Sequence, residues 1–77
     1  MGRVIKLSVV DANGAGVAAQ KLVVGNDELA TGSAGLAQVL LEDGATVIKV
    51  NGVKAYEGPV SALKPLETFT TAGQRIG

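Results

Sequence analysis

Apolar side chains recur at every second position within short segments of this chain, and glycine, asparagine or aspartate ends each segment. In the first segment Ile5, Leu7 and Val9 share one face of an extended backbone, while Lys6 and Ser8 share the other. A period of two is typical of a β-strand with one buried face. The pattern predicts about seven short strands, over residues 3–10, 17–24, 28–31, 36–41, 45–50, 53–57 and 66–71.

The central stretch, residues 35–54, contains the clearest turn signal in the chain. Asn51-Gly52 separates two β-rich segments, and a two-residue type I′ turn needs a positive φ at both of its central residues. The sequence therefore predicts a tight hairpin at this point. Residues 60–63, between Pro59 and Lys64, fit either a short helical turn or an extended link.

The spacing of strands and turns predicts an all-β fold, either an antiparallel β-sandwich or a small barrel, and we favour the sandwich. Strands and helices do not alternate along the chain, so a parallel sheet is not expected. We predict one domain over residues 1–71 and a flexible tail over residues 72–77, where the sequence AGQRIG shows no strand pattern.

Alternation assigns the two faces of the central strands. If Ala37, Val39 and Leu41 point into the core, then Leu36 and Leu40 point outward. If Thr46, Ile48 and Val50 also point inward, the same rule places Val47 outside. Outward aliphatics are explained by ordinary surface scatter, by an inverted register, or by a patch that packs on another chain. We predict that Leu36, Leu40 and Val47 form a partner interface.

Composition narrows the classes of partner and of chemistry. Lys and Arg number 7 and Asp and Glu also number 7, giving a net charge of zero in a chain of 77 residues. Nucleic-acid binding requires a basic surface, so no nucleic-acid partner is expected. No apolar run approaches the ~20 residues that a membrane helix requires, so we expect no membrane insertion.

The sequence offers little for catalysis. It contains no histidine and no cysteine, which rules out Ser-His and Cys-His arrangements and leaves a Ser-Lys pair without a supporting motif. The acidic pairs at residues 27–28 and 42–43 are adjacent, and adjacent strand residues point to opposite faces. Calcium binding by Asp11, Asn13 and Asp43 is a weaker alternative, because no D-x-[DN]-x-[DN]-G loop is present. We predict a non-enzyme with no cofactor and no metal, and a Tyr56 ring at the core edge.

Two segments resemble the small prealbumin-like and carboxypeptidase-regulatory-like β-sandwiches, and the related Ig-like modules of bacterial and phage surface proteins. The resemblance covers roughly residues 4–57 and is carried by two turn-and-strand motifs, to which these residues correspond: Asp11, Gly14, Val17, Ala18, Thr31, Gly35, Ala37, Val39, Leu41, Gly44, Ile48 and Val50. It implies an Ig-like or prealbumin-like sandwich. It also implies which side chains of the central strands point inward: Ala37, Val39, Leu41, Thr46, Ile48 and Val50. Thr46 departs from the pattern, which has tyrosine there. Some of these families join a lysine to an Asn or Asp on the last strand, but LETFTT has neither, so we expect no isopeptide bond from Lys6.

These features favour a non-catalytic structural module that self-associates or decorates a larger assembly such as a virion, an appendage or a surface layer. Its partner would be another copy or a larger structural protein. An accessory subunit of an enzyme complex is the first alternative, and a carbohydrate- or ligand-binding module is a weaker one. The sequence shows no secretory signal pattern, which leaves the location open between the cytoplasm and an assembled particle.

Overall fold

The computed structural model describes residues 2–76, so Met1 and Gly77 lie outside the described residues. Within that range the chain forms eight strands and one short 3₁₀ helix, Val60–Ala62. The strands are β1 (Arg3–Val10), β2 (Lys21–Val24), β3 (Asp27–Ala30), β4 (Leu36–Leu41), β5 (Ala45–Val50), β6 (Val53–Pro59), β7 (Leu66–Thr70) and β8 (Arg75–Ile76). The all-β prediction is confirmed, and the number of strands is one more than expected.

The strands form two four-stranded sheets. The first sheet has the order β4-β1-β7-β8 and the second has the order β3-β2-β5-β6. Strand β1 pairs antiparallel with β4 but parallel with β7, so the expectation of a purely antiparallel fold is wrong at this position. The chain crosses between the sheets after β1, β3, β4 and β6. The last of these crossings contains the short 3₁₀ helix and places β7 beside β1, running in the same direction.

One core lies between the sheets. The first sheet contributes Ile5, Leu7, Val9 and Phe69, all fully buried, and the second contributes buried Leu22, Val24, Ile48 and Val50. Fully burying an aliphatic or aromatic side chain stabilises a fold by about 1.5–3 kcal/mol.

The burial of the central strands confirms their predicted orientations. Ala37 is half-buried, and the other inward positions are buried: Val39, Leu41, Thr46, Ile48 and Val50.

The predicted hairpin at Asn51-Gly52 is present. Val50 pairs with Val53, and φ is +51° at Asn51 and +86° at Gly52, as a type I′ turn requires. The Asn51 amide also accepts a hydrogen bond from the Lys21 N–H (3.1 Å) and donates to the Thr71 carbonyl (3.2 Å). The turn thus connects the second sheet to the end of β7 in the first.

Strand β2 begins later than predicted. Residues 17–20 belong to a loop held by Thr31, whose buried hydroxyl donates to the Val17 carbonyl (2.6 Å) and accepts from the Gln20 N–H (2.9 Å). Ala19 adopts a φ of +58° in that loop, which is incompatible with a continuous strand. The periodic pattern over residues 17–24 therefore overestimated the strand.

Two glycine turns meet at one end of the molecule. An added Cβ at Gly35, where φ is +78°, would lie 2.6 Å from the Cα of Gly16, and one at Gly16 would overlap the Ala34 carbonyl. Only residues without side chains permit this approach. The meeting positions β4 beside β1, because the Val9 N–H donates to the Gly35 carbonyl (2.8 Å).

The segment predicted as a flexible tail, residues 72–77, contains a strand in its described part. Strand β8 pairs antiparallel with β7, with Thr68 opposite Ile76 and Phe69 opposite Arg75. A turn that includes Gly73, at a φ of +88°, connects the two strands. Arg75 makes this pairing favourable, because its guanidinium reaches a buried carboxylate on β7.

Candidate functional site

The outward side of the first sheet is the most distinctive surface of the described chain. Six large aliphatic side chains are exposed among residues 2–76, and five of them lie on this side, 46 to 61% exposed. We call this set the outer apolar face: Val4, Leu36, Leu40, Leu66 and Ile76. The sixth, Val53, belongs to the second sheet.

Strand register brings these five residues together. Leu40 lies directly opposite Val4, and Leu66 lies opposite Lys6, two residues further along β1. Ile76 lies opposite Thr68, two residues beyond Leu66. Directly opposed side chains have Cβ atoms about 4.5–5.5 Å apart. The outer apolar face therefore extends across all four strands of the sheet.

The polar residues between these aliphatics are mostly uncharged. The outward positions also include Ser8, Gln38, Thr68 and Thr70, and Lys6 is the ionisable residue of this surface. Sheet faces exposed to solvent normally carry polar residues at most outward positions. This face departs from that rule, and a concentration of exposed apolar residues is typical of interaction sites.

The structure separates the three residues predicted to form one interface. Leu36 and Leu40 lie on the outer apolar face, with outward orientation as predicted. Val47 is half-buried on β5, which belongs to the second sheet. Grouping these residues required β4 and β5 to be neighbours in one sheet, but the chain changes sheets at the Asp43-Gly44 turn. Val47 therefore faces the opposite side of the molecule.

Sequence reasoning missed three members of the outer apolar face. Alternation placed Val4 on the outward side of β1, but nothing in the local pattern indicated which strands flank β1. Leu66 and Ile76 join the face only through the parallel β1–β7 pairing and through β8. The one available signal was on β7, where Leu66 alternates with the buried residues Glu67 and Phe69.

An ion pair between buried Glu67 and partly exposed Arg75 lies on the core-facing side of the first sheet. The Glu67 side chain is 2% exposed, and its carboxylate accepts two hydrogen bonds from Arg75, from Nε and Nη2, both at 2.8 Å. The Lys64 N–H donates a third at 2.6 Å. Hydrogen bonding from Arg75 outweighs desolvation and holds the pKa of the Glu67 carboxyl below its ordinary value. The same pairing raises the pKa of Arg75.

This ion pair joins the sheets. The Arg75 guanidinium lies 5.1 Å from the centroid of the Tyr56 ring, which belongs to β6 in the second sheet. Tyr56 packs partly buried against the core, and its hydroxyl donates to the Pro59 carbonyl (2.7 Å). The prediction of a ring at the core edge is confirmed. Each of these three side chains has a partner among the others or on the backbone. We call the set of Glu67, Arg75 and Tyr56 the Glu67 clamp.

The other candidate residues are dispersed or already paired. The Asp11 carboxylate accepts hydrogen bonds from the Asn13 and Ala15 N–H groups (2.9 and 3.1 Å), as in an Asx turn. Asp43 follows β4, at the opposite end of β1 from Asp11, so the proposed calcium ligands do not converge. Across residues 2–76 no three His, Cys, Asp or Glu side chains are placed to hold a metal ion.

The two aromatic rings present little exposed surface on which a sugar could stack. Phe69 is fully buried in the core, and Arg75 covers one face of Tyr56. In the described part of the chain no helix has the length and apolar character needed to cross a membrane. Comparison with protein-family models, with curated proteins and with solved structures gives no significant match to this chain.

Proposed function

We propose that this chain is a non-catalytic assembly module that contacts further copies of itself through the outer apolar face. The observation that carries the proposal is the concentration of five of the six exposed large aliphatics on one side of one sheet. The remaining polar residues of that side are compatible with a contact, because only Lys6 among them carries a charge.

The magnitude of the contact favours an assembly over an isolated pair. Each aliphatic of the face is already about half-buried, so complete burial adds on the order of 1 kcal/mol per residue. Five residues would contribute on the order of 5 kcal/mol, whereas association costs roughly 4–15 kcal/mol in lost freedom. A single contact of this kind is weak, and repeated contacts within a larger particle make it effective.

The fold is consistent with such a role. We propose that the two four-stranded sheets are a small Ig-like or prealbumin-like sandwich, which the two turn-and-strand motifs of the sequence support. In this proposal the module belongs to a virion, an appendage or a surface layer. The second sheet, with charged side chains on both of its edge strands, would face solvent.

Sedimentation velocity from micromolar to millimolar concentration tests the proposal. We expect the average mass of the wild-type protein to rise with concentration, and we expect Leu66→Lys to lower it, because Leu66 lies at the centre of the outer apolar face. Val53→Lys is the matched control, since Val53 is 48% exposed and Leu66 is 50% exposed, but Val53 lies in the other sheet.

Two results would count against the proposal. One is a monomer mass at every concentration, and the other is an equal effect of Leu66→Lys and Val53→Lys. Circular dichroism of both variants establishes that each one folds before its mass is compared.

A further inference from the structure

Asparagine followed directly by glycine occurs at two places in this chain, Asn13-Gly14 and Asn51-Gly52. Such a pair is chemically labile, because the backbone nitrogen of the glycine can attack the side-chain amide carbon and expel ammonia. Glycine has no side chain to obstruct this approach and leaves the backbone free to reach the required geometry. By sequence the two sites are equivalent, but the structure holds their amides very differently.

The Asn51 side-chain amide is held by three hydrogen bonds to other segments. Its oxygen accepts from the Lys21 N–H (3.1 Å), and its nitrogen donates to Gln20 Oε1 (2.8 Å) and to the Thr71 carbonyl (3.2 Å). The Asn51 backbone N–H donates to the Lys21 carbonyl (2.8 Å). The amide carbon can therefore turn toward the Gly52 nitrogen only after the contacts from the hairpin to both neighbouring segments are broken.

The Asn13 side chain has no comparable restraint. It is exposed in the turn after β1, and within residues 2–76 its amide makes no hydrogen bond. The bonds that shape the turn are local: the Asn13 and Ala15 N–H groups donate to the Asp11 carboxylate (2.9 and 3.1 Å), and the Gly14 N–H donates to the Asp11 carbonyl (3.0 Å). Exposed bonds within one surface turn open at a much lower free energy than contacts between sheets.

The product of ammonia loss also suits one site and not the other. Replacing the amide by an acid leaves a carboxylate that is ionised at neutral pH and that only accepts hydrogen bonds. At Asn51 this carboxylate would face two acceptors, Gln20 Oε1 and the Thr71 carbonyl. At Asn13 it would lie in solvent, where it adds one negative charge to a chain whose net charge is zero.

We propose that Asn13 is a site of spontaneous deamidation in the folded protein and that the fold protects Asn51. The Gly14 N–H gives its proton to solvent, and its nitrogen bonds to the Asn13 Cγ. The side-chain nitrogen takes up a proton and leaves as ammonia, so the product is a cyclic succinimide. Water then opens the ring at either carbonyl and yields aspartate or isoaspartate. Water is the co-reactant, and the step is independent of the proposed assembly function.

The hydrogen bonds to the Asn51 amide set the expected difference in rate. The net contribution of one ordinary hydrogen bond lowers the population of an open conformation roughly fivefold. Three such bonds lower the population of reactive Asn51 conformers by on the order of a hundredfold. We therefore expect Asn13 to deamidate on the order of a hundredfold faster than Asn51 in the folded chain.

Peptide mapping measures both sites in the same molecule. Trypsin places each asparagine on a separate peptide: residues 7–21 carry Asn13, residues 22–49 carry Asn26 and residues 50–54 carry Asn51. The folded chain and the same chain unfolded in urea are incubated in mildly alkaline buffer and digested at intervals, and the mass of each peptide reports its conversion. In urea both Asn-Gly sites should convert at similar rates, whereas folding should slow Asn51 much more than Asn13.

The variant Gln20→Ala tests the cause of the protection. It removes one of the three hydrogen bonds to the Asn51 amide, so Asn51 should convert roughly fivefold faster while the rate at Asn13 stays unchanged. Gln38→Ala is the matched control, because Gln38 is an exposed glutamine on β4 in the first sheet. Circular dichroism establishes that both variants are folded before their rates are compared.

Three results would overturn the inference. The first is equal slowing of the two Asn-Gly sites by folding, and the second is earlier conversion of Asn51 than of Asn13 in the folded chain. The third is aspartate as the only product at Asn13, because opening of a succinimide must also yield isoaspartate. An unchanged rate at Asn51 in folded Gln20→Ala would show that the hydrogen bonds to its amide are not what protects it.

Discussion

At the scale of single residues, Glu67 is the most constrained side chain in the described structure. A carboxylate that is 2% exposed survives in an apolar core only because Arg75 and the Lys64 N–H satisfy it. Removing one partner of a buried pair costs more than the pair itself contributes, because the remaining charge is left without compensation. Among the described residues no buried side-chain nitrogen or oxygen lacks a hydrogen-bond partner.

The Glu67 clamp makes stability depend on pH. The pKa of Glu67 is lower in the folded state than its ordinary value of 4.5, so the folded state binds fewer protons than the unfolded chain. Its contribution is therefore complete above that value and is lost as the pH falls through the folded pKa. We expect Glu67→Gln to lower the free energy of unfolding by about 2 kcal/mol at pH 7 and to differ less from wild type at pH 3.

Urea unfolding of the wild type and of Glu67→Gln at the two pH values measures this dependence. Glu57→Gln is the control, because Glu57 pairs with Lys54 at the surface with both side chains more than half exposed. Such pairs contribute roughly 0–1 kcal/mol. A gap between Glu67→Gln and wild type that stays constant from pH 7 to pH 3 would contradict the prediction.

At the scale of elements, the sequence pattern was sufficient where a strand has one buried face and clear turns at both ends. The predicted bounds of β1, β4 and β5 agree with the structure, and so does the Asn51-Gly52 hairpin. The pattern failed where tertiary contacts determine the backbone. Thr31 holds residues 17–20 in a loop, and Arg75 of β8 binds Glu67 of β7. Neither contact can be recognised from periodicity within a short window.

Removing residues 72–77 tests the role of β8. A flexible tail would be dispensable, whereas loss of β8 removes Arg75 and two of the three hydrogen bonds that the Glu67 carboxylate accepts. Arg75 is 36% exposed and β8 is an edge strand, so water reaches the freed carboxylate after truncation. We therefore expect a loss of about 1.5–3 kcal/mol of stability, the range for hydrogen bonds to a charged group, which is a large part of the total for a domain of this size. Thermal unfolding measures the loss.

Adding Glu67→Leu to the truncated chain should recover part of this loss, because the substitution removes the uncompensated charge. Unchanged unfolding after truncation would show that β8 makes no net contribution to stability.

At the scale of the whole molecule, the two sheets have different surfaces. The outer apolar face covers the first sheet, whereas charged side chains accompany the edges of the second. With a net charge of zero, long-range repulsion between copies is small. In the proposed assembly, association would therefore depend on apolar burial more than on charge.

The dependence of the average mass on salt concentration tests whether apolar contacts or charges control the proposed association. Sodium chloride screens exposed charges but leaves apolar contacts in place, so we expect the average mass in sedimentation to be unchanged or higher at high salt. Sulfate should raise it further, because it strengthens apolar burial. A fall in mass with added sodium chloride would show instead that ion pairs hold the assembly.

The sequence by itself determined the all-β fold, the inward and outward sides of the central strands, and the exposure of Leu36 and Leu40. These properties depend on period-two alternation and turn chemistry, which act over a few residues. Only the tertiary structure decided that β4 and β5 belong to different sheets, that β7 runs parallel to β1, and that Val4, Leu66 and Ile76 join the outer apolar face. The physical reason is that strand pairing is a contact between distant segments, and alternation orients each strand without specifying its neighbours.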